Sequence, residues 1–290
     1  MAAVLSRRTV LGAMGALLAA PLQAEQPAPE FLAYERETGG HIGAYAQNLT
    51  TGRAIAWRAH DRFVMCSSFK ASLAAFVLRR VDRGLDHLEH MIPYGPGDIP
   101  DSDWYAPVAR ENLAKGALSV ADMCEAAVEY SDNTCANLLL ARVGGPSAMT
   151  RFWRSSGDGI TRLDHNEPVL NRSPLGDPHD TTTPFAMAGN LRRFVLGNVL
   201  APGSRSRFTG WLVNCKTGDN RLRRGLPKDW KMGDKTGNNG NDAAADIAIA
   251  WSSTDRPIVI CVYTQGGSST QDQLTSMFAA VGGRVAADLA

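Results

Sequence analysis

The chain has 290 residues, 44% of them hydrophobic, and 30 lysines and arginines balance 29 acidic residues. This balance gives no electrostatic case for nucleic acid or an anionic membrane, and the hydrophobic content is ordinary for a soluble globular protein. A chain of this length can bury a large core, as one big domain or two intimately packed ones.

Residues 1–24 carry Arg7-Arg8, a short apolar run from Val10 to Ala20, then Pro-Leu-Gln-Ala. That order reads as an export signal, too short and too weakly apolar for a membrane anchor. Ser6-Arg7-Arg8-Thr9-Val10-Leu11 resembles the twin-arginine signal, which addresses folded bacterial chains for export; an ordinary secretory signal with two adjacent arginines is the alternative. With cleavage after Ala24, the mature chain keeps 28 basic and 29 acidic residues and is expected in the periplasm, free of any membrane anchor. The five cysteines, Cys66, Cys124, Cys135, Cys215 and Cys261, leave at least one unpaired and have no metal-type spacing. Cys124 and Cys135 lie in or beside apolar helical runs and read as small buried hydrophobes, and Cys66 reads as a buried packing residue, a thiol of consequence being the alternative.

In chain order, Ala33 to Gly39 is polar enough for an exposed helix. His41 to Ala46 and Arg53 to Trp57 read as the strands of a hairpin around Asn48–Gly52. After Ser67, residues Phe69, Leu73, Phe76, Val77 and Val81 recur at helical spacing, so one helix face is buried. Ser67 lies at the start of that helix, with Lys70 one turn later on the same side. A serine hydroxyl beside a lysine amine, at the positive end of a helix dipole, describes an activated nucleophile. By itself Ser-x-x-Lys also describes a serine cap with a solvated lysine.

Pro93 to Pro107 reads as a loop with two exposed aromatics, Trp104 and Tyr105. Ser119 is expected to cap a helix over Val120–Glu129, with Asp122 completing an approximate capping box. Further helices are expected over Thr134–Val143 and Pro146–Ser155. Leu163 to Thr183 has no periodicity and holds three prolines; an irregular loop of that length in a compact domain points to function. Pro184–Val199 is helical again, followed by strands at Trp230–Asp234, Ala245–Trp251 and Pro257–Thr264 and a last helix over Gln271–Leu289.

Strands at both ends thus bracket a helical middle. The expected fold is α+β, with residues 25–62 and 209–290 forming an antiparallel sheet with flanking helices. Residues 63–208 form an inserted all-helical domain, placing Ser67 near a junction of the kind that often holds a ligand cleft.

Ser131-Asp132-Asn133 falls at the break between two helical runs, where it can face a cleft or cap a helix. Lys-Thr-Gly occurs twice, at 216–218 in a polar turn and at 235–237 beside a strand. At least one copy is expected to be incidental, and the strand context selects Lys235-Thr236-Gly237.

Ser67-x-x-Lys70, Ser131-Asp132-Asn133 and Lys235-Thr236-Gly237, in that order, resemble the motifs of the penicillin-recognising serine acyltransferases. Glu167-Pro168-Val169-Leu170-Asn171, followed by Asp180 to Pro184, resembles the omega loop of class A β-lactamases. Gly144-Gly145-Pro146, Arg162-Leu163-Asp164 and Leu226 to Trp230 are also similar to that family, so the resemblance spans essentially the whole mature chain.

The resemblance implies a monomeric serine hydrolase of β-lactam antibiotics that needs no metal or cofactor. It makes Ser67 the nucleophile, with Lys70 or Glu167 taking its proton. The backbone N–H groups of Ser67 and Asn238 would form an oxyanion hole, worth about 3–4 kcal/mol per donor. Ser131 would relay a proton to the leaving nitrogen, oriented by Lys70 and Lys235. Glu167 would activate the deacylating water, held by Asn171. Lys235, Thr236 and Arg221 would hold the substrate carboxylate, Arg223 and Arg224 competing with Arg221 for that place. Asn133 would bind the acylamino side chain and Tyr105 would form an apolar wall. A DD-peptidase shares the three motifs but should lack a deacylating carboxylate; a penicillin-sensing domain would bind the drug covalently without turnover.

Two departures from the family pattern stand out. His165 replaces the usual arginine after Leu-Asp, so its pairing with Asp180 would depend on pH and leave a looser omega loop that admits bulky cephalosporin side chains. Cys66 occupies the position that forms a disulfide in class A carbapenemases, but Asn239 stands where the partner cysteine would be, so that disulfide is expected to be absent.

Overall fold

The computed structural model describes residues 27–290. The export signal expected over residues 1–24 lies outside them. The order begins with α1 (Pro29–Thr38), β1 (His41–Asn48), β2 (Ala54–Trp57) and β3 (Phe63–Val64). A 3-10 turn at Cys66–Ser68 then leads into α2 (Phe69–Asp82). The helical region continues through β4 (Met91–Pro93), α3 (Pro107–Glu111), β5 (Ala117–Ser119), α4 (Val120–Glu129), α5 (Asn133–Arg142) and α6 (Gly145–Ser155). After the long loop come β6 (Thr181–Thr182), α7 (Pro184–Val195), α8 (Pro202–Val213) and α9 (Leu222–Gly225). The strands β7 (Lys231–Asn238), β8 (Ala243–Trp251) and β9 (Pro257–Gln265), then α10 (Gln271–Leu289), close the chain.

The five-stranded sheet runs β2-β1-β9-β8-β7, every pair antiparallel, so both chain ends build it. This is the expected α+β arrangement. Its central strands are buried on both faces, which explains their near-continuous apolar sequence. On β8 and β9 the side chains alternate with period two. Ala245, Ile247, Ile249, Val259, Cys261 and Tyr263 join the core shared with the helical region. Ala244, Ala248, Ala250, Ile258, Ile260 and Val262 meet α1, α9 and α10 on the other face.

Local signals set most boundaries. Ser119 accepts from the Asp122 N–H at 3.0 Å and Asp122 reaches back to the Ser119 N–H, completing the capping box at α4. Thr270 and Gln273 cap α10 in the same reciprocal way.

Four sequence expectations change. The first helix starts at Pro29 and is not a solvated element, because Phe31 and Tyr34 are buried against the sheet. Trp104 is not an exposed aromatic: its indole N–H donates to Thr134 Oγ1 at 2.7 Å and the ring is buried in the helical core, while Tyr105 stays exposed. The expected helix over 184–199 stops at Val195. Helix α8 carries no clear apolar period; Phe208, Trp211 and Leu212 dock it against the rest of the core, and the expected domain boundary at 208/209 falls within it.

Candidate active site

The 3-10 turn before α2 brings Ser67 to the mouth of a cleft of about 510 Å³ between the helical region and the β7 edge. Cys66, just before it, is held at φ 46°, a left-handed conformation that a side-chain-bearing residue adopts only where its surroundings enforce it. Those surroundings are the β7 strand. A Cβ on Gly237 would come within 2.8 Å of the Met65 carbonyl oxygen and 3.0 Å of the Cys66 Cβ, so only glycine lets this strand approach the Ser67 turn. The glycine of Lys-Thr-Gly therefore sets how close the two walls stand.

Lys70 is fully buried one turn into α2. Its ammonium lies 2.9 Å from Ser67 Oγ, 2.9 Å from the Ser131 carbonyl oxygen and 2.5 Å from Asn133 Oδ1, with Glu167 Oε1 at 3.3 Å. An ammonium has three protons, so these four acceptors cannot all be served at once. Burial pulls the Lys70 amine below the ordinary lysine range, against the opposing pull of the Glu167 carboxylate.

Glu167 approaches from the loop. Its Oε1 accepts from the Ser67 hydroxyl at 3.1 Å and its Oε2 accepts from Asn171 Nδ2 at 2.5 Å, so it meets the nucleophile on one side and Asn171 on the other. A residue the sequence reading missed fixes its backbone. Asn137 on α5 accepts from the Glu167 N–H at 3.1 Å and donates to the Glu167 carbonyl at 3.0 Å. The available signal was an amide within the apolar run Thr134–Val143.

Ser131-Asp132-Asn133 both caps and faces the cleft. Asp132 caps α5 through the Cys135 N–H at 2.9 Å and accepts from the Val108 and Ala109 N–H groups, each at 3.0 Å. That leaves Ser131, at φ 61°, and Asn133 to line the cleft on either side of it. Tyr105 lines the opening, its carbonyl accepting from the Asn133 N–H at 2.9 Å.

The opposite wall is β7. Lys235 is fully buried and donates to Ser131 Oγ at 3.0 Å and to the Thr236 carbonyl at 2.9 Å. Burial brings its amine down to about 8, with the Lys70 charge acting in the same direction. Thr236, Asn238 and Arg221 line the cleft. Arg221 is buried and donates to the Gly237 carbonyl at 2.9 Å and to the Ala245 carbonyl. Arg223 instead pairs with Asp234 behind the sheet and Arg224 is exposed, so Arg221 is the one of the three at the cleft wall.

The other Lys-Thr-Gly copy is not incidental. Thr217 lines the same cleft and its hydroxyl lies 2.5 Å from that of Thr236. A Cβ on Gly218 would fall 1.8 Å from Asp234 Oδ2, so that glycine admits the carboxylate next to Lys235. The polar-turn context of residues 216–218 hid a contact made only in three dimensions.

The neck of the loop carries the His165–Asp180 pair at 2.6 Å. Its closure does not depend on the imidazole alone. Buried Asp180 also accepts from the Asp164 and His165 N–H groups at 2.7 and 2.9 Å, and Asp164 Oδ2 accepts from the Asp180 N–H at 3.0 Å. These backbone bonds argue against the looser loop expected from the histidine. All five cysteines are free and buried, and burial pushes the Cys66 thiol far above its ordinary range, as befits a packing residue.

The model of the β-lactamase enzyme family matches residues 26–288. Among curated relatives, β-lactamase L2 of Stenotrophomonas maltophilia is 44% identical over 256 residues, 88% of this chain and 83% of that protein. A β-lactamase of Mycobacterium tuberculosis is 43% identical over 249 residues, 84% of this chain and 79% of that protein. Among solved structures, a class A β-lactamase representing the last common ancestor of Gram-negative bacteria superposes with a TM-score of 0.85 at 47% identity, covering 89% of this chain and 97% of that one. A β-lactamase from Xanthomonas campestris gives a TM-score of 0.86 at 41% identity, covering 90% and 96%.

Proposed function

This chain belongs to the β-lactamase enzyme family as a class A enzyme that hydrolyses β-lactam antibiotics and so confers resistance to them, and on that premise we propose that turnover runs through an acyl-enzyme on Ser67. Ser67 Oγ attacks the lactam carbonyl carbon. Its proton leaves to Lys70 Nζ or Glu167 Oε1, which stand 2.9 and 3.1 Å away. The backbone N–H groups of Ser67 and Asn238 hold the developing oxyanion. When the ring C–N bond breaks, Ser131, oriented by Lys235 at 3.0 Å, passes a proton to the nitrogen and is resupplied through Lys70 with the proton taken from Ser67, which leaves Glu167 a carboxylate. Glu167 then takes a proton from a water held with the help of Asn171, the resulting hydroxide attacks the ester carbonyl, and as the intermediate collapses Glu167 returns that proton to Ser67 Oγ 3.1 Å away and frees it.

Lys235, Thr236 and Arg221 hold the substrate carboxylate, Asn133 the acylamino amide, and Tyr105 forms the apolar wall. The observation that carries the reading is the buried Glu167 carboxylate, bonded to Ser67 on one oxygen and to Asn171 on the other. It supports a hydrolase over a DD-peptidase, which should lack a deacylating carboxylate, and over a penicillin sensor, which would bind the drug without turnover. Purified protein mixed with nitrocefin should turn over many times per molecule. Glu167→Ala should convert this to a single stoichiometric burst with the acyl group on Ser67 seen by mass spectrometry. A wild-type burst without turnover would refute the reading.

Export to the periplasm by the twin-arginine route, and action there as a monomer, complete the proposal. Its support is the Arg7-Arg8 pair with the apolar run after it.

A further inference from the structure

A second cleft, of about 620 Å³, lies on the helical region away from Ser67, between the C-terminal end of α2, the end of α6 and the connection from α7 to α8. Four arginines line it, Arg79, Arg83, Arg193 and Arg205, against a single carboxylate, Asp82. That carboxylate is already engaged: Oδ2 accepts from the Ala201 N–H at 2.7 Å and Oδ1 accepts from Ser204 Oγ at 2.5 Å. It caps the start of α8 and pairs with none of the guanidinium groups.

Elsewhere in the described residues some arginines have carboxylate partners and others do not. Arg58 pairs with Glu35, Arg142 with Asp86, Arg162 with Asp164, Arg223 with Asp234 and Arg284 with Asp288. Among the described residues, none of the four cleft arginines has a carboxylate within ion-pair distance. Arg79 donates to Ser156 Oγ at 3.2 Å, Arg205 to the carbonyls of Leu196 and Gly197, and Arg193 to Asn190 Oδ1 at 2.7 Å. Asn190 in turn donates to buried Asp158, so Asp158 makes no ion pair with Arg193 although its charge acts on it. Arg193 Nε is buried with no hydrogen-bond partner. Burial and the neighbouring Arg83 charge disfavour the charged form of Arg79; burial and Arg192 do the same to Arg193, with Asp158 opposing. At this cleft Arg79 and Arg83 repel each other, with Arg193 and Arg205 lining the same space, and a bound anion with bidentate oxygens would relieve that repulsion.

We propose that this cleft is a binding site for a compact anion of two or more charges, bearing phosphoryl or several carboxylate groups. The anion would bridge α2, α6 and the α7–α8 connection and so stabilise the fold. The cleft lies near the opposite end of α2 from the nucleophile: Arg79 is about 14 Å along the helix axis from Lys70 at 1.5 Å per residue. Occupancy is therefore read first as affinity and thermal stability.

The test is isothermal titration of the full mature chain with pyrophosphate, and separately with citrate, at low and at physiological salt. Expected is saturable binding at one site that weakens with salt, with a rise in Tm. Arg193→Gln should raise the Kd about tenfold or more, the scale of losing hydrogen bonds to a charged group. Arg83→Gln, an exposed position that cannot be expected to disturb folding, should raise it about threefold, and both variants should keep the wild-type kcat/KM for nitrocefin. Tighter binding of pyrophosphate assigns phosphoryl ligands, and tighter binding of citrate assigns polycarboxylates. The proposal is overturned if neither anion binds saturably up to about 10 mM, if both variants bind as tightly as the wild type, or if binding competes with nitrocefin and so belongs to the catalytic cleft.

Discussion

Replacing Asn137 by alanine removes the two hydrogen bonds, of 3.1 and 3.0 Å, that fasten the Glu167 backbone to α5. Each is worth about 0.5–1.5 kcal/mol net, so about 1–3 kcal/mol of restraint on this part of the loop disappears. The contacts left to the Glu167 side chain are those with Ser67, Lys70 and Asn171. Asn171 belongs to the same loop and moves with it, so it gives no anchor to the helical region. A shift of about 1 Å at a reacting group costs about 10²-fold in rate. Deacylation should therefore slow by about ten- to a hundredfold. Acylation should suffer less, because Lys70 remains 2.9 Å from Ser67 Oγ on its own helix. Stopped-flow nitrocefin kinetics should show a burst followed by a slow steady state, with kcat and KM falling together and acyl-enzyme visible by mass spectrometry. If the Tm falls while no acyl-enzyme accumulates, the clasp is structural only and the reasoning fails.

Three further outcomes follow from the site and its loop. The Asp180 hydrogen bond raises the His165 pKa above its ordinary value, so the pair stabilises the fold below about pH 6.5 and loses that contribution as pH rises through the folded value. The imidazole is half-exposed and the effect is small and screened by salt. His165→Arg should match wild-type Tm near pH 5 and exceed it at pH 8; a difference independent of pH would refute the pairing, and cephalosporin turnover should be unchanged because the backbone bonds to Asp180 persist. Lys235, brought down to about 8, should give kcat/KM for benzylpenicillin an alkaline limb near that pH. Lys235→Arg should move that limb upward, and a limb that stays in place would assign it to another group. Thr217→Val removes the hydroxyl 2.5 Å from that of Thr236 and should raise KM about two- to tenfold with kcat held, whereas an unchanged KM would show Thr217 to be packing alone.

The strand patterns near both ends, the helix after Ser67 and the final helix were legible because their apolar periods are local properties. Helix α8 was not, because only Phe208, Trp211 and Leu212 dock it and the residues between them carry no period. Trp104 was read as exposed because it sits in a loop rich in proline and glycine, and burial there depends on Thr134, thirty residues away.

By itself the sequence determined the chemistry available: a serine followed by a lysine one helical turn later, a second serine at a helix break, a lysine on a strand and a carboxylate in a long loop. Composition, order and local period carry that information. Only the tertiary structure decided which of three arginines stands at the cleft, that both Lys-Thr-Gly copies contribute a threonine to it, and that Asn137 holds Glu167 in place. Each of those depends on backbones brought together from distant parts of the chain, as Gly237 allows at the Ser67 turn. A linear pattern contains no term for such a distance.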